Sequence, residues 1–143
     1  MARLSVLIDT NVILDVVLAR HPWAAEAVQL LDAIGEGRLA GSVAGHAVTT
    51  VAYLVERAQG RERARTAVAD VLEILEVVPL EGGDFLRALS FDLKDYEDAV
   101  QVAAALRAGA AYVVTRNPKH FKGAPVPPRS AGEVLALLAS TGS

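Results

Sequence analysis

Short apolar runs alternate with segments of helical periodicity along the whole chain, and this alternation constrains the fold more than any single motif. Residues 3–9, RLSVLID, read as a buried strand, with Val6 and Ile8 favouring extended backbone. A short helix over 12–19 follows, and Pro22 stands where a first-turn proline would open the next one. The apolar positions Ala25, Val28, Leu31 and Ile34 carry that second helix to Gly35 and Gly37, which end it. A strand fits around 39–43 and a helix over 46–58, whose apolar stripe is Val48, Val51, Ala52 and Val55. Gly60 then separates a helix over 61–75 from what precedes it, and 76–79 is a brief strand. Helices near 84–90 and over 96–108 come next, the second closed by Gly109. Residues 110–115 read as a strand, "GAPVPPRS" as a connection, and 131–138 as a last helix with Ser130 as its N-cap.

Strands alternating with helices predict parallel βαβ units under helical cover, an α/β fold. No linker, repeat or low-complexity block interrupts residues 1–143, so one domain is expected. With 52% hydrophobic and 22% charged residues, the chain can build a large core. It has no cysteine, which excludes disulfides, thiolate catalysis and cysteine-based zinc sites. The longest uncharged stretch, 39–55, is broken by glycines, Ser42, His46 and two threonines, so no membrane span is expected and the protein reads as cytoplasmic. A net charge of −3 argues against a protein that coats duplexes nonspecifically, but not against a nucleic-acid enzyme with local basic clusters. Two such clusters exist, Arg57, Arg61, Arg63 and Arg65, and then Arg116, Lys119, Lys122 and Arg129.

The first strand ends on a carboxylate, Asp9, within the tripeptide Asp9-Thr10-Asn11. Ligands of open parallel sheets bind beyond the carboxyl ends of strands, where Asp9 and the triplet Thr115-Arg116-Asn117 would both lie. A second acidic segment, DYEDAVQVAAAL, places Asp95 and Asp98 three residues apart on one helix face. Asp95 suits an N-cap, and first-turn acids complement the helix dipole. Asp98 falls where the helix becomes apolar, and two close carboxylates repel unless a proton or a cation intervenes. Capping and metal binding therefore both stand. No phosphate-binding glycine loop, serine-nucleophile elbow or zinc-protease motif is present, and His21, His46 and His120 are widely spaced. A site of oxygen donors points to magnesium or manganese.

Together, "LIDTNVILDVVL" and "DYEDAVQVAAALRAGAAYVVTRNPKHF", in that order, resemble the PIN-domain ribonucleases, particularly the VapC-like toxins of bacterial toxin–antitoxin pairs. The resemblance runs from the first strand to the helix beyond the TRNPKHF segment. It implies a three-layer fold with a central parallel sheet of four to five strands flanked by helices, and acids gathered at its carboxyl end around Mg2+ or Mn2+. Asp9 matches the first metal-binding acid, and Asp98 the acid that begins the alanine-rich helix, with Asp95 a second candidate. Asn11 and Thr115 match supporting polar positions, and Asn117 falls where many relatives carry another aspartate. Many PIN domains also place a glutamate in the helix after the second strand, in a pattern like S-A-x-T-x-x-E. Here Thr50 takes that position, and Glu56 lies six residues further on, about 9 Å along a helix axis.

The function this implies is metal-dependent hydrolysis of RNA phosphodiester bonds, with His46 or Thr50 assisting the metal site through water. Arg116 and Lys119 are expected to contact the RNA backbone, and a small antitoxin and a homodimer are the partners the resemblance implies. A helix surplus of apolar residues in 24–34 and 48–55 agrees with a dimer. The alternative is a catalytically weakened module that keeps the fold for RNA or protein binding. A phosphatase is disfavoured, because the strand-end D-x-D of an aspartyl-phosphate enzyme would need an acid at Asn11.

Overall fold

The computed structural model describes residues 3–141, so the expected domain limits at 1 and 143 lie outside the described residues. The chain begins with β1 (Ser5–Ile8), α1 (Thr10–Val17), α2 (Ala24–Gly35), β2 (Ala40–Ala44) and α3 (Gly45–Gln59). It continues through α4 (Arg61–Ile74), β3 (Glu76–Val78), α5 (Gly82–Ala88) and α6 (Tyr96–Ala108). β4 (Tyr112–Val114), a 3-10 turn (Pro118–Phe121), β5 (Pro128–Arg129) and α7 (Ala131–Ser140) complete it. The strands form one five-stranded sheet in the order β3-β2-β1-β4-β5, and every pairing is parallel. The expected α/β class, with a parallel sheet between helices, is what the chain adopts.

The sheet is covered on both faces because its strands carry apolar side chains at consecutive positions. Val6, Leu7 and Ile8 of β1 are all fully buried, as are Val113 and Val114 of β4. One glycine makes this closure tight. A Cβ on Gly41 of β2 would lie 2.5 Å from Ile34 Cδ1 and 2.9 Å from Leu75 Cδ2, so a larger residue would have to push aside the side-chain ends through which α2 and α4 seat against the strand. The alanine-rich α6 is buried along its length, from Asp98 to Ala105, and its small side chains let it fit between the sheet and α5.

β5 lies inside the segment expected to be only a connection. Pro127 and Pro128 lack N–H groups, but their stretch still offers acceptors: Val113 N–H donates to Pro127 O at 3.1 Å and Thr115 N–H to Arg129 O at 2.9 Å. An edge strand tolerates proline at positions where the ladder needs no donor. The expected Ser130 cap is present as a capping box, with Glu133 N–H donating to Ser130 Oγ and Ser130 N–H to Glu133 Oε1. The helix expected near 84–90 begins two residues earlier, because Glu81 caps it through a box with Asp84.

Candidate functional site

Asp9 directly follows β1 and occupies the N-cap position of α1, yet its side chain makes no cap hydrogen bond. It turns instead across the end of the sheet. Its backbone N–H donates to Val114 O at 2.9 Å, so the parallel pairing of β1 with β4 sets Asp9 beside Thr115. Thr115 Oγ1 donates to Asp9 Oδ2 at 2.9 Å, and Gln101 Nε2 of α6 donates to Asp9 Oδ1 at 2.8 Å. Asn117 N–H donates to Thr115 Oγ1 at 3.0 Å, so the hydroxyl's own proton is directed to the carboxylate. Gln101 is wholly buried, and its Oε1 accepts the N–H of Thr10 at 3.3 Å. Two elements therefore clamp Asp9 from both sides.

Asp98, in the first turn of α6, is the other buried acid at this end of the sheet. Burial pushes its carboxyl up to about 7, and the charges of Asp9, Asp95 and Glu97 push the same way, opposed by His120. Asp9 is also held above the usual carboxylate range, first by burial and less by Glu97, while its bonds from Gln101 and Thr115 oppose the rise. Among the described residues neither acid is ion-paired with a lysine or arginine, and the nearest cationic candidate is His120 Nδ1, 4.0 Å from Asp98 Oδ2. The pair is short of positive charge.

The expected residues are drawn together unequally. Asp95 is the N-cap of α6, its Oδ1 accepting the N–H of Glu97 at 2.9 Å, and it also lines the cleft beside Asp98. Asn11 turns its side chain toward Arg20, whose Nη2 donates to Asn11 Oδ1 at 3.4 Å and to Asn11 O at 3.1 Å, while the Asn11 backbone N–H favours the ionised form of Asp9. Thr50 does not join the acids, because its hydroxyl donates to His46 O at 3.3 Å within its own helix. His46 does reach the site, with Nε2 2.7 Å from Glu97 Oε2. Arg116 is directed away from the cleft, with Nε 3.1 Å from the buried Asp15 and its guanidinium 3.8 Å from the centre of the Trp23 ring. Lys119 lines the cleft of about 370 Å³ that opens on Asp98, together with Lys94, Lys122 and His120. Glu97 and Gln101 were not among the expected residues. Their spacing of four on a helix was the available signal, since Gln101 Nε2 also donates to Glu97 Oε1 at 3.3 Å.

A hard divalent cation fits this donor set. The acids at this end of the sheet are Asp9 and Asp98, with Asp95 and Glu97 adding further negative charge, and both buried carboxyls are raised first by burial and then by neighbouring charge that a dication would neutralise. The fit lies in donor chemistry and charge. Among the described residues no three His, Cys, Asp or Glu side chains are gathered into a ready cage.

A family model described as "PIN domain" matches residues 5–119, a span that holds Asp9, Asp95, Asp98, Thr115 and Asn117. The chain belongs to the PIN-domain family. Solved structures share the fold of this PIN domain at low identity. A chain of the VapBC2 assembly from Rickettsia felis, bound to a DNA fragment from its promoter, is 15% identical with a TM-score of 0.69, covering 89% of this chain and 98% of its own. A chain of a toxin–antitoxin complex from Klebsiella pneumoniae is 21% identical with a TM-score of 0.66, covering 88% and 97%. VapC20 from Mycobacterium tuberculosis, a toxin that cleaves the sarcin–ricin loop, is 16% identical with a TM-score of 0.62, covering 76% and 86%. No curated protein matches the sequence. No helix of the described residues is long and apolar enough to cross a membrane.

Proposed function

We propose that this PIN domain is a metal-dependent endoribonuclease, acting in the cytoplasm as the toxin of a toxin–antitoxin pair. The observation that carries the reading is the meeting of Asp9 and Asp98, two buried and mutually repelling carboxylates, at the carboxyl end of a parallel sheet where a lysine-rimmed cleft opens. Asp9 and Asp98 would hold Mg2+ or Mn2+, Asp95 would hold the ion or orient its water, and Asn117 is the neutral candidate beyond β4. When bound, the ion would supply an activated water and neutralise charge on the phosphate and the departing oxygen. Thr115 and Gln101 fix the orientation of Asp9 by donating to its two oxygens, so the carboxylate is held in one rotamer. Lys119, with Lys94 and Lys122, would neutralise RNA phosphates.

Arg116 plays a different part, locking the strand end to α1 and α2 through Asp15 and Trp23. Lys119→Ala is expected to reduce the log–log salt slope of single-strand RNA binding by about 0.7, the share of one phosphate contact, and an unchanged slope would remove Lys119 from the RNA path. The assembly of the VapBC neighbours supports a small antitoxin as partner. A homodimer rests on the family resemblance. Most of the apolar surplus expected to serve it, including Leu30, Leu31, Ile34, Val51 and Val55, is taken into the core. Leu86 and Leu89, near the end of α5, are the apolar side chains left most exposed.

Thr50 favours the second reading, a weakened binding module, since α3 supplies no acid where many relatives carry one. Incubation of a mixed RNA pool with the purified protein distinguishes the two. The nuclease gives cleavage with Mg2+ or Mn2+ and none with EDTA; intact RNA under every metal condition, from folded protein that still binds it, supports the module.

A further inference from the structure

The vacancy that Thr50 leaves on α3 has a counterpart on α6. Glu97 stands one residue before Asp98, and both of its carboxylate oxygens are engaged by residues that tie it to the site. Oε1 accepts from Gln101 Nε2 at 3.3 Å, and that same nitrogen donates to Asp9 Oδ1 at 2.8 Å. A single buried amide nitrogen thus bridges two carboxylates from different elements. Oε2 lies 2.7 Å from His46 Nε2, and His46 is on α3, four residues before Thr50 in the same helix. His46 Nδ1 is buried without a hydrogen-bond partner, so the ring is oriented through Nε2 alone.

A first-turn glutamate needs none of this to complement a helix dipole, and an exposed His–Glu pair is worth little to stability. Bringing a further negative charge toward Asp9 and Asp98 costs free energy unless a cation recovers it. We infer that Glu97 supplies the third carboxylate of the metal site, replacing from α6 the acid that α3 lacks at Thr50, with His46 and Gln101 as its positioning residues. This assignment rests on the metal-dependent reading above.

The test is Mn2+ binding to the purified full chain, followed by isothermal titration calorimetry and by loss of the free Mn2+ electron-paramagnetic signal. Wild type, Glu97→Gln, His46→Ala and Asp9→Asn are compared, each with its metal-free unfolding temperature. Glu97→Gln keeps the size and an oxygen that can accept from Gln101 Nε2 while removing the charge, and it is expected to weaken Mn2+ at least about tenfold; His46→Ala is expected to weaken it by about tenfold or somewhat less. If Glu97→Gln binds Mn2+ as wild type does while Asp9→Asn fails, the assignment is overturned and the nuclease reading survives. If wild type itself takes up no Mn2+, both fall. If only His46→Ala is silent, Glu97 remains a ligand and His46 loses its positioning role.

Discussion

Asp15→Ala is expected to destabilise the protein by about 3 kcal/mol, lowering its unfolding temperature by roughly 10 °C. Asp15 is almost fully buried, and each of its oxygens meets an arginine: Oδ1 lies 2.8 Å from Arg20 Nε and Oδ2 3.1 Å from Arg116 Nε. Removing it leaves two guanidinium groups facing a cavity. Their partial exposure lets water reach them, which keeps the cost toward the lower end of the range for a broken buried pair. The loss should spread, because Arg20 also donates to Asn11 O, and Arg116 stacks on Trp23. Denaturant unfolding of Asp15→Ala beside an Arg116→Met single and double variant checks this. Additive losses would mean that the Arg116–Asp15 pair is not coupled.

Asp98→Asn should act in the opposite sense on stability. In the metal-free fold the Asp98 carboxyl is pushed up to about 7, first by burial and then by neighbouring charge. An unfolded aspartate loses its proton near 3.9. Between those values the folded state holds a proton that the unfolded state has released, so unfolding releases a proton and rising pH favours it. The metal-free protein should therefore lose stability, by up to a few kcal/mol, as pH rises from about 4 to beyond 7. Asn cannot ionise. Asp98→Asn is thus expected to raise the metal-free unfolding temperature by about 5 °C at pH 8, by about a third of that at pH 5 and by little below about pH 4, while removing cleavage activity. Equal unfolding temperatures at pH 8 would show that Asp98 is not under electrostatic strain. Asp9→Asn should stabilise less, because an amide nitrogen facing Gln101 Nε2 or Thr115 Oγ1 disrupts bonds that Asp9 accepts.

How far the sequence carried these conclusions differs by residue. β1, α6 and α7 were legible because their signals are local: three consecutive apolar residues before Asp9, an alanine-rich run closed by Gly109, and Ser130 three residues before Glu133. β5 was not, because a two-residue edge strand leaves no mark in propensity, and its prolines read as a break. Asp9 and Asp98 stood out as carboxylates in apolar settings, which is chemically costly and therefore visible. Gln101 is neutral and sits within an apolar helix, and its value appears only when β1 brings Asp9 to its amide across a sequence separation of 92 residues. Arg116 shows the reverse. Its place beside the strand end suggested the RNA path, whereas Asp15 and Trp23, both distant in sequence, claim its side chain. Thr50 was read as the position without an acid, but the contact between His46 and Glu97 depends on the fold bringing the first turns of α3 and α6 together and has no local signature.

The measurement that bears most directly on the nuclease reading is the rate of RNA cleavage by wild type and by Asp9→Asn, at saturating Mn2+ and at equal folded concentration checked by circular dichroism. Wild type is expected to cleave in a metal-dependent way and Asp9→Asn to lose about 100-fold or more, since that carboxylate would hold the cation that neutralises the charge developing in the reaction. Cleavage by Asp9→Asn at the wild-type rate would contradict that reading, and would move the chemistry away from the end of β1.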